Sequence, residues 1–232
     1  MPNYIQNKLV VNCKSAEELQ SFLNTIEGEE DRVIDFNKII PMPIELINTE
    51  ESSATYENLY YYLNDSNKLD EVEKIGKTHS LLRYYKPLLF DKSEKVIKEK
   101  IKDGEQSYNN FIKYGFVSWY GWSLYHWGTK WNAKETYIIK NRTCATIGFV
   151  TAWSGVPLII EKLAKMFPNV YFEYSYADED RGCNVGFGTT ENGEFLFTEI
   201  EDNSKEALDL YTELWGEWED EEEWEDEEET NV

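Results

Sequence analysis

The sequence predicts an α+β fold in which two helices cover one face of an antiparallel sheet. Three observations indicate this fold. A strand near the amino terminus is followed at once by a capped helix, a second apolar helix is followed at once by another strand, and further strand patterns lie between these two pairs. The order strand, helix, strand, strand, helix, strand is that of the split βαβ, or ferredoxin-like, sheet.

The first pair consists of the strand "YIQNKLVVN" and the helix "AEELQSFLNTIEG". Ser15 and Glu18 form a capping box at the start of this helix, since they stand three residues apart just before its apolar positions. The segment "RVIDFNKIIPMP" at 32–43 is predicted as the second strand. Pro41 and Pro43 would end it, because proline cannot donate to a strand ladder.

A helical insertion is predicted at about 44–113, where the composition changes to charged helix formers such as "ENLYYYLN" and "KSEKVIKEKIKDG". With this insertion, residues 1–216 are expected to form a single domain, which is an ordinary size for one core. Residues 217–232 are expected to lie outside that domain.

The second helix–strand pair follows the strand patterns "TYIIK" and "TCATIGFVTAW". In the helix "SGVPLIIEKLAKMFPN", a buried face is predicted at Leu158, Ile159, Leu163 and Phe167. The strand "VYFEYSYA" comes directly after it. Extra C-terminal strands, "CNVGFGTT" and "EFLFTEI", are joined by the turn "ENGE", and "SKEALDLYTELWGEW" is the last predicted helix.

Composition excludes several classes of function. The formal net charge of −22 argues against direct binding of long nucleic acid, which requires a basic face. No stretch has the 18 or more apolar residues of a membrane span, and the amino terminus does not resemble an export signal. The three cysteines have neither disulfide nor metal-ligand spacing. These features predict a cytoplasmic protein with no cofactor and no metal.

The acidic tail, residues 217–232, carries half of the net charge, because "EWEDEEEWEDEEE" holds eleven acids and no base. Such a segment typically remains a solvated, disordered extension. Trp218 and Trp224 leave a second interpretation open, since solubility does not require them. In that interpretation the tail binds a basic surface, for example on a host protein, in the manner of a DNA mimic.

The stretch "YHWGTKWNA" at 125–133 contains the residues that most suggest a binding site. One interpretation is structural: Trp127 and Trp131 fill the core, and Lys130 lies along an aromatic face. The other is a cleft in which a flat ligand stacks on tryptophan rings and Lys130 meets its phosphate. The candidate ligand-binding residues are Trp119, Trp122, His126, Trp127, Lys130, Trp131 and Trp153.

The sequence contains little evidence for a catalytic site. His126 could act as a general base, but neither it nor His79 has a nucleophile or a ligand at a suitable spacing. Asp178, Glu179 and Asp180 end a strand, where a solvated turn is the favoured interpretation and a cation site the alternative.

Four segments in order resemble the YubB-type ferredoxin-like family, whose small proteins are encoded mainly by bacteriophages, prophages and plasmids. They are "MPNYIQNKLVV", "FNKIIPMP", "YGFVSWYGWSLYHWGTKWNA" and "FVTAWSGVPLIIEKLAKMFPNVYFEYSYADED". The resemblance implies a ferredoxin-like fold and a mobile-element origin, and it supplies no catalytic residues. This chain departs from the family pattern at Tyr4-Ile5, where a Trp-Cys pair is usual, and at His126, where an Asn is common.

Three functions are therefore considered. The first is a non-enzymatic accessory protein of a phage or mobile element that captures a small ligand, such as a nucleotide, in the host cytoplasm and counters host defence. The second is an acidic interaction protein that inhibits a host factor. The third is an enzyme acting on a nucleotide or nucleic acid, which is the least supported because no catalytic set can be identified.

Overall fold

The computed structural model describes residues 2–29, 31–68, 93–191 and 193–216. The strands are β1 (Tyr4–Asn12), β2 (Lys134–Lys140), β3 (Cys144–Ala152), β4 (Tyr171–Asp178), β5 (Val185–Glu191) and β6 (Glu194–Ile200). The helices are α1 (Ala16–Ile26), α2 (Phe36–Ile39), α3 (Ile44–Ile47), α4 (Ser53–Asp65), α5 (Glu94–Tyr114), α6 (Trp119–His126), α7 (Pro157–Met166) and α8 (Lys205–Trp215).

The six strands form one antiparallel sheet in the order β2-β3-β1-β4-β5-β6. Its first four strands have the ferredoxin-like order, and β5 and β6 extend the sheet beyond β4. The predicted fold class is confirmed. Leu9 and Val11 stand two residues apart on β1 and therefore face the same side of the sheet. Both are fully buried, as expected for a strand inside the sheet.

The main core lies between the inner face of the sheet and the helices α1 and α7. Phe22 of α1 packs against Phe172 of β4, with ring centroids 5.5 Å apart. The capping box predicted for α1 forms in a modified way. Ser15 accepts a hydrogen bond from the Glu18 backbone N–H, while the Glu18 carboxylate accepts from the N–H of Lys14.

The strand predicted at 32–43 is wrong. Asp35 caps a short helix there, because its carboxylate accepts a hydrogen bond from the N–H of Asn37 at 2.9 Å. Phe36 and Ile39, three residues apart, are then buried together. The second strand of the ferredoxin-like unit is instead β2, which follows the insertion.

The buried face predicted for α7 is wrong at one position. Leu158 is 42% exposed, whereas Ile159, Ile160, Leu163 and Ala164 are buried. The buried residues follow the i, i+1, i+4, i+5 spacing of one helix face, and Leu158 lies at the edge of that face. Phe167 follows the end of the helix and is partly buried against the core.

The opposite, outer face of the sheet is covered in part by α8. This helix packs on β4, β5 and β1, where Ala207 and Tyr211 form a small core with Ala177 and Val185. Lys8 of β1 forms an ion pair with Glu213. Within the described ranges, no helix combines the length and apolar character that a membrane crossing requires.

Helices α4 and α5 pack closely against each other within the segment predicted as a helical insertion. The contact depends on Gly104, since a Cβ at this position would stand 2.0 Å from the backbone oxygen of Asn58. His79 and the acidic tail lie outside the described residues.

Candidate functional site

The tryptophans proposed as one cleft divide into two groups. Trp122 and Trp127 are only 4% exposed and belong to the main core, with ring centroids 5.5 Å apart. The indole N–H of Trp127 donates to the backbone oxygen of Ile40 at 2.9 Å. A ring that is buried with its N–H satisfied cannot stack on a ligand, so the assignment of these two residues to an open cleft is corrected.

His126, at the end of α6, lies among aromatic rings. Its ring centroid is 4.4 Å from that of Trp122, and Phe116 and Tyr125 complete its surroundings. Burial lowers its pKa, because the charged form loses hydration. It therefore packs beside the core, outside the group of side chains around Lys130.

The remaining side chains meet around Lys130. Its Nζ lies 5.4 Å from the ring centroid of Trp131 and 5.2 Å from that of Trp153. Lys134 stands 4.0 Å from the ring of Trp131, and the Tyr4 ring lies 6.5 Å from the same ring. We call Tyr4, Lys130, Trp131, Lys134 and Trp153 the aromatic–lysine cluster.

Three side chains fix the backbone on which Lys130 and Trp131 stand. Ser123 donates to the carbonyl of Lys130 at 2.9 Å. The Thr129 hydroxyl donates to the carbonyl of Ala152 and accepts from its N–H, which ties this turn to the end of β3. Asn132 donates to Asp35 at 2.6 Å and accepts from the N–H of Phe36. The turn is therefore held on both sides.

Trp153 is held in a strained backbone conformation. Its φ of +68° lies in the left-handed region, which costs a non-glycine residue roughly 1–2 kcal/mol. Its N–H donates to the carbonyl of Asn3 at 3.0 Å, and its carbonyl accepts from the side chain of Asn184 at 2.9 Å. The conformation leaves the Trp153 side chain 39% exposed beside Lys130.

A polar network supports this conformation from the end of β4. Asp178, only 5% exposed, accepts from the side chain of Asn184 at 2.8 Å and from that of Asn3 at 3.0 Å. Asn3 also donates to Asp180 at 2.9 Å. Asp178 thus orients both residues that hold the backbone of Trp153.

This network corrects the prediction of a solvated turn at 178–180. Glu179 and Asp180 are exposed, as expected, but Asp178 is a buried hydrogen-bond acceptor. Asn3 and Asn184 were not recognised from the sequence, because they are 181 residues apart and only the sheet register joins them. The described part of the chain contains no group of three or more His, Cys, Asp or Glu that could hold a metal ion.

A hollow of about 370 Å³ adjoins the cluster on the side of the insertion. Its lining includes Trp119, Tyr120 and Lys130 and, from the predicted insertion, Glu51 and Tyr56. Tyr120 continues the surface to Trp153, since the two rings meet edge to face with centroids 6.3 Å apart. Trp119 therefore lines a hollow next to the cluster and does not stand within it.

The indole N–H of Trp131 is buried and has no hydrogen-bond acceptor among the described residues. Leaving a buried donor unpaired costs about 1–3 kcal/mol. The aromatic–lysine cluster therefore carries two local energetic costs, the unpaired indole N–H of Trp131 and the backbone strain at Trp153.

Comparison with known proteins supports the fold. Residues 126–231, somewhat less than half of the chain, match the family model described as the ferredoxin-like domain in Api92-like protein. A search of curated proteins found no match. The crystal structure of a protein api92 from Yersinia pseudotuberculosis aligns over 88% of this chain and 100% of its own, with 8% identity and a TM-score of 0.40. By the family match alone, the chain contains a ferredoxin-like domain similar to that of Api92-like proteins.

Proposed function

We propose that this chain is a non-enzymatic binding protein that captures a flat, anionic small ligand of the nucleotide class at the aromatic–lysine cluster. One observation carries the proposal. The Lys130 ammonium lies between two indole rings, 5.4 and 5.2 Å from their centroids, and one of these indoles is exposed on a strained backbone. A stacking surface and a cation are thereby brought together.

The charges of the cluster fit an anion. Among the described residues neither Lys130 nor Lys134 makes an ion pair, although the chain carries a formal net charge of −22. A phosphate near these two amines would gain charge-assisted hydrogen bonds. A base stacked on Trp153 would contribute about 1–3 kcal/mol.

The strain at Trp153 supports a role in binding. Backbone strain persists where the surroundings impose it, and it is concentrated at ligand-binding and active sites. Here Asn3, Asn184 and Asp178 impose it through hydrogen bonds. A tryptophan that served only packing would not require this conformation.

The resemblance to the YubB-type family extends the proposal to the biological setting. In that setting the protein is an accessory factor of a bacteriophage or other mobile element, and it acts in the host cytoplasm. Capture of a nucleotide there would counter a host defence that uses the nucleotide as a signal.

Binding can be tested by isothermal titration calorimetry of the full chain with mono-, di- and cyclic dinucleotides. Trp153→Ala is expected to weaken binding by about 1–3 kcal/mol, the worth of one stacked base. Lys130→Gln should weaken it more at low salt than at high salt, because ions screen a phosphate contact. Absence of heat with every nucleotide would contradict the proposal.

Two variants serve as controls. Tyr171 is 41% exposed, close to the exposure of Trp153, and lies at the far end of β4, so Tyr171→Ala should leave binding unchanged. Trp127→Ala should instead lower the free energy of unfolding by about 3–5 kcal/mol, as the removal of a core indole does. Equal loss of binding in Tyr171→Ala and Trp153→Ala would place the ligand elsewhere.

A further inference from the structure

The outer face of the sheet is covered by α8 over only part of its width. Tyr137 and Ile139 of the edge strand β2 lie beyond this cover, and they are 52% and 66% exposed. Tyr137 pairs with Gly148 of β3, which pairs with Lys8 of β1, and Ile139 pairs with Thr146, which pairs with Val10. Because residues that pair across a sheet share a face, Tyr137 and Ile139 lie on the outer face with Lys8 and Val10. Lys134 belongs to the same face, since it pairs with Val150 and Val150 pairs with Gln6. We call Lys134, Tyr137, Ile139 and the following Arg142 the β2 patch.

The β2 patch is basic within an acidic protein. Lys134 and Arg142 are exposed, and Glu135 is the one acid in 134–143. It therefore combines exposed apolar side chains with positive charge, and so it would suit an acidic segment that contains aromatic residues.

The described chain ends beside this face. Trp215 at the end of α8 donates its indole N–H to the carbonyl of Ala177 at 3.1 Å. Ala177 is aligned across the sheet with Gln6, Val150 and Lys134 in turn. Three strand spacings of about 4.8 Å therefore separate the strand that Trp215 contacts from β2, a distance of roughly 14 Å.

Residues 217–232 follow at once and are long enough to cross this distance. Sixteen residues can span about 50 Å when extended, so fewer than a third of them are needed to reach β2. Their eleven acids and the indoles of Trp218 and Trp224 match the charge and the apolar surface of the β2 patch. Because the segment is tethered, its effective concentration at the patch is in the millimolar range.

We propose that the acidic tail, residues 217–232, docks on the β2 patch of its own chain. Apolar contact with Tyr137 and Ile139 supplies the anchor, and Lys134 and Arg142 neutralise part of the acidic charge. Binding is salt-sensitive, because the charges involved are exposed.

Limited proteolysis of the full chain with a glutamate-specific protease tests this, with the first C-terminal cleavage followed by intact mass spectrometry. Ile139→Ser and the double variant Lys134→Glu/Arg142→Glu should each speed the trimming of the tail several-fold. Ile44→Ser is the matched control, because Ile44 is 67% exposed on α3, and it should trim at the wild-type rate. Trimming at one common rate in all four proteins would overturn the proposal.

Carbodiimide cross-linking of mixed 14N- and 15N-labelled full chains identifies which copy the tail binds. Docking within one chain predicts cross-links from tail carboxylates to Lys134 in fragments of uniform isotope, and Trp218→Ser/Trp224→Ser should reduce them several-fold. Cross-links that join light to heavy chains would place the tail on a second copy and overturn docking within the chain.

Discussion

At the scale of single residues, the positive φ of Trp153 predicts a local cost in stability. Comparing Trp153→Gly with Trp153→Ala isolates the backbone, since both variants lose the indole. Glycine adopts a positive φ without strain, so Trp153→Gly should be the more stable of the two by about 1 kcal/mol, measured by chemical denaturation.

Tyr125 provides the control with the opposite sign. It is 69% exposed within α6, where glycine is less favourable than alanine. Tyr125→Gly should therefore be less stable than Tyr125→Ala by about 1 kcal/mol. If glycine were the worse residue at both positions, the strain assigned to Trp153 would be absent in solution.

His126 offers a test by pH. Burial lowers the pKa of His126 below the ordinary value of 6.5. Just below pH 6.5, the ring therefore binds fewer protons in the folded state than in the unfolded state. The contribution of His126 to stability should therefore fall as the pH drops through 6.5 towards the lowered pKa. An NMR titration of the imidazole, assigned with His126→Gln, should give a midpoint below 6.5. A midpoint at or above that value would show a solvated ring.

Some residues of the candidate site could be identified from the sequence and others could not, for a physical reason. Lys130, Trp131 and Trp153 could be proposed because indoles and a lysine at short spacing suggest stacking and cation–π contact. Trp122 and Trp127 carry the same signal, and only their burial distinguishes them. Lys134 and Asn184 carried no signal of their own, because their roles depend on the sheet register that brings distant segments together.

At the scale of elements, the contact between α4 and α5 makes a prediction about Gly104. A glycine in the middle of a helix usually gains about 1 kcal/mol when replaced by alanine. Here the new methyl group would meet the Asn58 carbonyl at 2.0 Å and the Tyr62 Cβ at 2.8 Å. Gly104→Ala should therefore lower the free energy of unfolding by about 1–3 kcal/mol.

Thermal or urea unfolding measures this effect, and Asn109→Ala on the exposed side of α5 is its control. That substitution should be neutral or slightly stabilising, since it raises helix propensity without a clash. A gain in stability for Gly104→Ala would mean that the two helices are further apart than described.

Elements with a strong local signal could be predicted. The Ser15 cap and the alternation of β1 are both local, and both are found. The strand predicted at 32–43 was wrong because the apolar residues of this segment fit a strand pattern. Two hydrogen bonds favour a helical turn there instead, the Asp35 cap and the bond from the N–H of Phe36 to Asn132. That second partner is 96 residues away in sequence, beyond the reach of any local pattern.

At the scale of the whole molecule, helices lie on both faces of the sheet, and α8 is the cover of the outer one. A chain ending at residue 204 would expose Ala177 and Val185, which are now buried beneath α8. It should bind a hydrophobic dye strongly and aggregate, whereas a chain ending at residue 216 should do neither. Equal dye binding by the two chains would show that α8 is dispensable for covering this face.

The position of β1 has a consequence for the timing of folding in the cell. This strand pairs with β3 and β4 and with no other described strand, through partners such as Tyr4 with Ala152 and Ile5 with Asp178. Its first partner strand, β3, begins at residue 144, 132 residues after the end of β1. At about 5–20 residues per second, β3 therefore leaves the ribosome roughly 7 to 26 seconds after β1. During that interval β1 has no partner strand, while the helices α3, α4, α5 and α6 can form locally. The early nascent chain therefore depends on its own helices, or on a chaperone, to keep β1 from aggregating until the centre of the sheet can close.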